Sequence, residues 1–409
     1  VRTVVGIDVG TSKVCTLIGE VGESETPRVV GVGVAASRGV RRGVIVDVDE
    51  VARSIAASVE RAERVSGYPV ESAFVGIAAE HISSFGSRGA VAIPKGDRGI
   101  NQEDADRAME AAQAIAIPHN REVLHVVPRG YTLDGQDGVR DPMGMLALKL
   151  EVEVHIITGS VPPIQNLVKA IEGADIEIED LVFGPLACSE TVLSDVEREM
   201  GVVLADIGAG TTDIAIFMDG AICHAVVLPT GGNHITGDIA IGLQMPFTAA
   251  EEAKVTHGHV LPGQDDEDEL IPVQVFGEEE RQTISRHRLR EIVEARAAEI
   301  LSLIGREVKS SGYEGLLPAG VVLCGGSSQL RGLRELGHSI LQLPVRVGAP
   351  QSLEGLMDSI SDPAYAASAG LLLWGTQLDS LSGDDRRRAM AWQSAFSRLR
   401  GWLGPFLPD

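Results

Sequence analysis

The stretch that most constrains this chain is Asp206-Ile207-Gly208-Ala209-Gly210-Thr211-Thr212-Asp213, set between the apolar runs 202–205 and 214–217. Two strands joined by such a Gly- and Thr-rich turn bring a row of backbone N–H groups and two hydroxyls onto one anion. Glycine lets the backbone approach where a side chain would block it. The carboxylates of Asp206 and Asp213 repel a phosphate unless a cation lies between them. Mg2+ suits that place, because it keeps several waters and is held by one or two carboxylates plus phosphate oxygens. Taken alone, the pattern is equally that of a plain turn with acidic ends.

A second copy at the N-terminus changes the balance. Val4-Val5-Gly6-Ile7-Asp8 is followed by Val9-Gly10-Thr11-Ser12-Lys13 and then by the apolar 14–18. Strand, Asp-x-Gly, hydroxyl-rich turn and strand therefore recur, and Lys13 adds a point charge for a phosphate. Two copies in one context point to a duplicated α/β domain gripping one polyphosphate from both sides.

A chain of 409 residues is too long for one compact core and implies two to four domains or subdomains. The 44% hydrophobic content with only 4% aromatics predicts an aliphatic core. The net charge of −23 argues against a nucleic-acid partner, whose phosphates would be repelled. Cys15, Cys188, Cys223 and Cys324 stand far apart without a Cys-x-x-Cys, and read as small buried residues in a reducing compartment. The apolar N-terminal segment is too short for a signal peptide and is broken by Gly6 and Asp8. The apolar run 366–374 is far below a membrane span. These features predict a soluble, cytoplasmic protein.

Along the chain, 28–34 alternates as a third antiparallel strand, and 39–46 reads as a turn and short strand. A helix follows with Val51, Ile55, Val59 and Ala62 on one face, capped by Asp49 and ended by Gly67. A buried strand is expected at 74–78. Residues 81–157 break the pattern: a strand pair (82–85, 90–93), a helix over 105–115 whose start is marked by Asn101, and strands at 122–128 and 148–157. This is a small inserted α+β module, and long insertions are usually functional.

A helix carrying Ile164, Leu167, Val168 and Ile171 leads to a strand at 176–183, then to a helix ending before Gly201. After the opening hairpin, a strand at 222–228 precedes Gly231 and Gly232, which approach an anion before a helix running from His234 to Leu243. Glu251 and Lys254 fall on one helical face, by spacing alone a surface ion pair. The acidic run 265–269 reads as a solvated loop without the glycine and ligand spacing of a calcium site. A long amphipathic helix spans 289–308. A strand at 319–324 ends in Gly325-Gly326-Ser327, turns into a helix, and is followed by a strand at 344–347 and a closing helix from 363 to 374.

Two of the three tryptophans lie in the last 18 residues, where Trp392, Phe396, Leu399, Trp402 and Leu403 share a helical face with Arg398 and Arg400 on its edges. Residues 386–400 hold five arginines and no acid. A basic, Trp-rich helix after a polar linker fits one lying in the plane of an anionic membrane surface. Four or five buried apolar side chains bind modestly, so the helix gains from display of many copies on one polymer.

Together these motifs resemble the actin/Hsp70/sugar-kinase superfamily, and nearly the whole chain resembles its FtsA family of bacterial cell-division proteins. The marks are 154–159, 206–217, 238–243, 250–254, 321–333 and the tail. The resemblance implies duplicated actin-like (ribonuclease H-like) domains around a nucleotide cleft, with an SHS2-type module inserted in the first domain and a C-terminal amphipathic helix. The first domain would comprise 1–80, 158–190 and 356–378, the module 81–157, and the second domain 191–244 and 316–355. Subdomain 2B would be 245–315, the linker 379–390 and the membrane helix 391–407. It implies ATP with Mg2+ near Asp8, Asp206 and Asp213. Gly10, Thr11, Ser12 and Lys13 match the first phosphate loop, Gly208, Ala209, Gly210, Thr211 and Thr212 the second, and Gly325, Gly326 and Ser327 the adenosine loop. Glu251 and Lys254 become ribose and adenine contacts. The implied partners are FtsZ, bound near 245–315, further copies of the chain in a protofilament, and other division proteins at the module. The implied location is the cytoplasmic side of the cell membrane at the division site.

Ala209 and Ser327 stand where glycines are common, and Gly184 where several superfamily members place a Glu before Pro that orders the catalytic water. That departure predicts slow hydrolysis or a nucleotide used as a switch. The alternatives are a type IV pilus assembly protein of the PilM type and a small-molecule kinase of the same superfamily.

Overall fold

The computed structural model describes residues 2–22, 26–94, 98–114, 117–261, 269–277 and 281–380. Most of the acidic run (265–268) and all that the sequence predicts for 381–409, including the amphipathic helix, lie outside the described residues.

β1 (Arg2–Val9), β2 (Lys13–Val21) and β3 (Arg28–Ala36) form an antiparallel meander. After the small hairpin of β4 (Val40–Arg41) and β5 (Val44–Ile45), α1 (Val48–Ser66) returns the chain to β6 (Ser72–Ile77), parallel to β1. The inserted segment holds β7 (Ser83–Ala92), α2 (Gln102–Gln113), β8 (Arg121–Leu133), β9 (Gln136–Val139) and β10 (Lys149–Ser160). Helix α3 (Val161–Glu172) and β11 (Glu177–Phe183), parallel to β6, complete the first half.

The second half repeats the plan. Helices α4 (Gly184–Val192) and α5 (Asp195–Met200) precede the meander β12 (Val202–Ile207), β13 (Thr212–Met218) and β14 (Ala221–Leu228). Helices α6 (Gly232–Gly242) and α7 (Phe247–His257), the hairpin β15 (Leu270–Val273) and β16 (Gln282–Ser285), and α8 (Arg286–Ser310) follow. Strand β17 (Val321–Cys324) lies parallel to β12; after α9 (Leu333–Leu341), β18 (Val345–Val347) lies parallel to β17. Finally β19 (Glu354–Gly355) edges the first sheet and α10 (Ala366–Ser380) packs on it.

The first sheet runs β11-β6-β1-β2-β3-β19, and the second runs β18-β17-β12-β13-β14-β7-β10-β8-β9. Five strands of each share one pattern: three parallel, then two antiparallel. The duplication inferred from the two turns is thus a duplication of fold. Aliphatic side chains dominate the cores. On α1, Val51, Ile55, Val59 and Ala62 are buried as the helical spacing predicts, and each of the larger three contributes about 1.5–3 kcal/mol.

Several local expectations are corrected. The α1 cap is Asp47, whose carboxylate accepts from Glu50 N, not Asp49; Gly67 ends the helix in the left-handed conformation as expected. Ser83–Ala92 make one long strand where a pair is expected at 82–85 and 90–93. Its glycines do not turn the chain: a Cβ on Gly89 would lie 2.1 Å from Ala108 O, so glycine is there to let α2 press on the strand. Helix α2 begins three residues earlier than expected because Asn101 and Asp104 close a capping box. One helix before Gly201 becomes two, since Ser194 and Glu197 cap a new start. Gly326–Gln329 is a 3-10 turn, and α9 starts only at Leu333.

The inserted segment leaves and rejoins the first half at one point, because Ser83 and Thr158 are register partners on β7 and β10. Arg121 stitches this neck by donating to His81 O, Ser83 Oγ and both oxygens of Thr158. The segment meets the second half through a single backbone rung, Val226 to Ser83. Beside that rung, Ser84 Oγ both donates to Ala225 O and accepts from Ala225 N.

Candidate functional site

Both turns are built alike. Gly10 N donates to Lys13 O at 3.0 Å, and Gly208 N donates to Thr211 O at 2.9 Å. Each closes four residues between the ends of a hairpin, Val9–Val14 in one and Ile207–Thr212 in the other. The turns face each other. A Cβ on Gly210 would lie 2.5 Å from Thr11 Oγ1 and 3.0 Å from Arg42 Cα, so only glycine lets the halves approach. Thr11 Oγ1 in turn accepts from Gly43 N at 3.1 Å, tying the β4–β5 turn to the first loop.

These turns line a cleft of about 690 Å³. Of the residues singled out in the sequence, Asp8, Gly10, Thr11, Ser12, Lys13, Asp206, Gly208, Ala209, Gly210, Thr211, Asp213, Glu251, Lys254, Gly325, Gly326 and Ser327 lie on its wall. Three do not. Thr212 is buried and donates its hydroxyl to Thr230 O at 2.8 Å. Gly231 and Gly232 pack behind the second turn, where Gly232 N donates to Gly208 O at 2.9 Å.

The floor of the cleft is electrostatically unsettled. Burial, reinforced by Asp206, lifts Asp8 from 3.8 to about 6, against the pull of Lys13. Asp206 and Asp213 are also pushed up by burial, and Asp213 further by Asp206 and Asp8. Asp213 Oδ1 is a buried carboxylate oxygen with no hydrogen-bond partner. Three desolvated acids in mutual repulsion, one with an orphaned oxygen, fit a hydrated divalent cation. Lys13 is pulled down by burial, opposed by Cys15 and the acids around it. Its ammonium lies 3.5 Å from the ring centroid of Tyr365. Sequence reasoning missed Tyr365, which follows 352 residues after Lys13 and has no local signal.

The other end of the cleft is less charged. Lys254 Nζ donates to Glu251 at 2.7 Å, to Thr236 Oγ1 at 2.9 Å and to Gly232 O at 3.3 Å. The pair is therefore part of the cleft wall rather than a free surface pair. Ser327 Oγ donates to Gly208 O at 3.1 Å, joining the third turn to the second. Phe247 and Val255, also missed, line this end and stay exposed, offering apolar surface to a flat ring. Gly184 lies on the wall beside Ile77 and Ala78, an apolar patch.

The family description "Cell division protein FtsA" matches residues 203–370, and "SHS2 domain inserted in FTSA" matches 79–158. The curated FtsA of Pseudomonas aeruginosa is 41% identical over 408 residues, covering 98% of this chain and 97% of that protein. The chain belongs to the FtsA family. FtsA of Escherichia coli is 34% identical, with 98% of this chain and 97% of that protein covered. FtsA of Bacillus subtilis is 37% identical, with 93% and 84% covered. Membership makes this an actin-like cell-division protein.

Among solved structures, the PilM–PilN type IV pilus biogenesis complex aligns with a TM-score of 0.64 at 17% identity, covering 91% of this chain and 98% of that one. MreB5 of Spiroplasma citri bound to ADP aligns with a TM-score of 0.52 at 14% identity, covering 92% and 97%. These likenesses establish the actin-like fold. The choice between FtsA and a pilus-type protein rests on the FtsA sequences.

Proposed function

We propose that this FtsA binds ATP with Mg2+ in the cleft and uses the nucleotide to control assembly at the division site. The observation that carries the reading is the convergence of both glycine turns, Lys13 and three raised carboxylates on one cavity. The turns offer N–H groups and hydroxyls to the phosphates, Lys13 supplies a positive charge, and Glu251 with Lys254 sits at the nucleoside end. Mg2+, held by Asp8, Asp206 and Asp213 through its waters, would neutralise the phosphates. The carboxylates on the described wall are these three and Glu251. With an apolar patch beside Gly184, activation of water for attack falls to a deeply held aspartate, so hydrolysis is slow.

By the same proposal, copies of the chain form actin-like protofilaments and FtsZ filaments dock at subdomain 2B, residues 245–315. The tail, through Trp392, Phe396, Leu399, Trp402 and Leu403, seats the polymer on the inner face of the cytoplasmic membrane. The module 81–157 is the contact surface for other division proteins. No described helix is long and apolar enough to cross a membrane. The test is co-pelleting with FtsZ filaments and anionic liposomes in ATP and then ADP, with and without residues 386–409. FtsZ should reach the liposomes only with the tail present, and to a different extent in the two nucleotides; equal pelleting without the tail refutes the anchor. Asp206→Asn should weaken Mg-ATP binding by calorimetry, and unchanged affinity refutes the metal assignment.

A further inference from the structure

Four scattered cysteines give no sequence sign of a metal site, yet the fold brings two of them to one carboxylate. Asp206 and Cys324 are register partners on the adjacent parallel strands β12 and β17, so their side chains leave the same face. Helix α4 packs on that face and presents Cys188. Cys188 Sγ lies 3.3 Å from Asp206 Oδ2, and the two sulfurs and a carboxylate oxygen all fall within 4.8 Å of one another. Both thiols are free and buried. The other oxygen of Asp206 lies against Gly325, where a Cβ would stand 2.1 Å from it. Asp206 also borders the cleft, and the unbonded Oδ1 of buried Asp213 belongs to the same group of interacting acids.

Two sulfurs and one oxygen are the donor set of a thiophilic metal. Zinc takes sulfur at about 2.3 Å and carboxylate oxygen at about 2.0–2.2 Å. Donors around one such ion stand roughly 3.5–4 Å apart, a spacing this cluster reaches with small side-chain rotations. We propose that Cys188, Asp206 and Cys324 form a second cation site, selective for zinc-class divalent ions, behind the stretch of cleft wall that Asp206 borders. On binding, the two S–H bonds give their protons to solvent while two metal–sulfur bonds and one metal–oxygen bond form; no electron is transferred. Magnesium, which takes oxygen ligands, is served by the aspartates on the cleft side and has no use for the sulfurs. Asp206 is common to both sets, so a thiophilic ion withdraws it from the nucleotide's cation. That last consequence rests on the nucleotide reading above, whereas the site itself does not.

Cobalt(II) is the probe, added to the full chain in a non-thiol reductant, because cobalt–thiolate bonds give an intense near-ultraviolet charge-transfer band. The band should rise to one equivalent, be displaced by Zn2+, fall to half its intensity or less in Cys188→Ser and in Cys324→Ser, and persist undiminished in Cys223→Ser. A wild-type protein without the band, or an undiminished band in Cys188→Ser or Cys324→Ser, would overturn the site. If a serine variant fails to fold, Asp206→Asn keeps the side-chain shape and should bind cobalt at least tenfold more weakly; unchanged binding refutes the assignment. A fluorescent nucleotide then tests the shared ligand. Zinc should release it from wild type and not from Cys188→Ser, and retention by zinc-loaded wild type would overturn the exclusion while leaving the site standing.

Discussion

The two hairpins at the cleft are one object in backbone and two in charge. In each, an aspartate stands two residues before a glycine that closes a four-residue turn. At the register position opposite that aspartate, the first hairpin has Cys15 and the second has Asp213. At the last turn position the first has Lys13 and the second Thr211. Had both copies kept the second pattern, four carboxylates would crowd the floor with no lysine to offset them. Divergence after duplication left one half with a lysine at its turn and the other with two facing acids.

This asymmetry is open to attack at three strengths. The largest effect lies in Asp8, whose folded pKa of about 6 stands above its usual 3.8. A carboxyl raised on folding holds its proton more tightly in the native state, so its contribution is intact below pH 4 and is lost as pH rises towards 6. The loss approaches about 3 kcal/mol. Urea denaturation of nucleotide-free protein across that window should show it, and Asp8→Asn should flatten the slope; parallel curves would mean that burial beside Asp206 does not raise Asp8. Next, Lys13→Met should weaken nucleotide binding about thirtyfold, or about 2 kcal/mol. Thr211→Ala at the matching position should cost only a few-fold, and equal losses by calorimetry would make the hairpins electrically equivalent. The smallest effect separates the glycines. A Cβ on Gly10 would meet Lys13 O at 2.9 Å, against 3.4 Å from Gly208 to Thr211 O. Gly10→Ala should therefore lower stability by about 1 kcal/mol and Gly208→Ala by less than about half of that, which paired thermal melts would resolve.

The hairpins were legible because their signal is local: an apolar run, an Asp-x-Gly and small residues, twice. The buried face of α1 was legible for the same reason. Legibility ended where a residue type serves two purposes. Gly89 falls in the expected break between two strands and is a landing place for α2, while Gly231 and Gly232, expected to approach an anion, also pack against the second turn. It ended again where partners meet only through strand register or distant packing, as with Lys13 on Tyr365 or Cys188 beside Cys324. The pairing of Glu251 with Lys254 was visible in the spacing, but its place on the cleft wall depends on Thr236 and Gly232 from another helix.

The neck of the inserted segment has a consequence for ancestry. Its two ends leave the first half as neighbours, at Ser83 and Thr158, and a single arginine fastens them. Its described polar ties to the second half include one rung, one serine hydroxyl and the exposed ion pair of Arg140 with Glu199. A unit grafted at a single seam, with its own small core around Leu150, Val152 and Val154, is removable: lineages can acquire, lose or redecorate it without redrawing the cleft beneath.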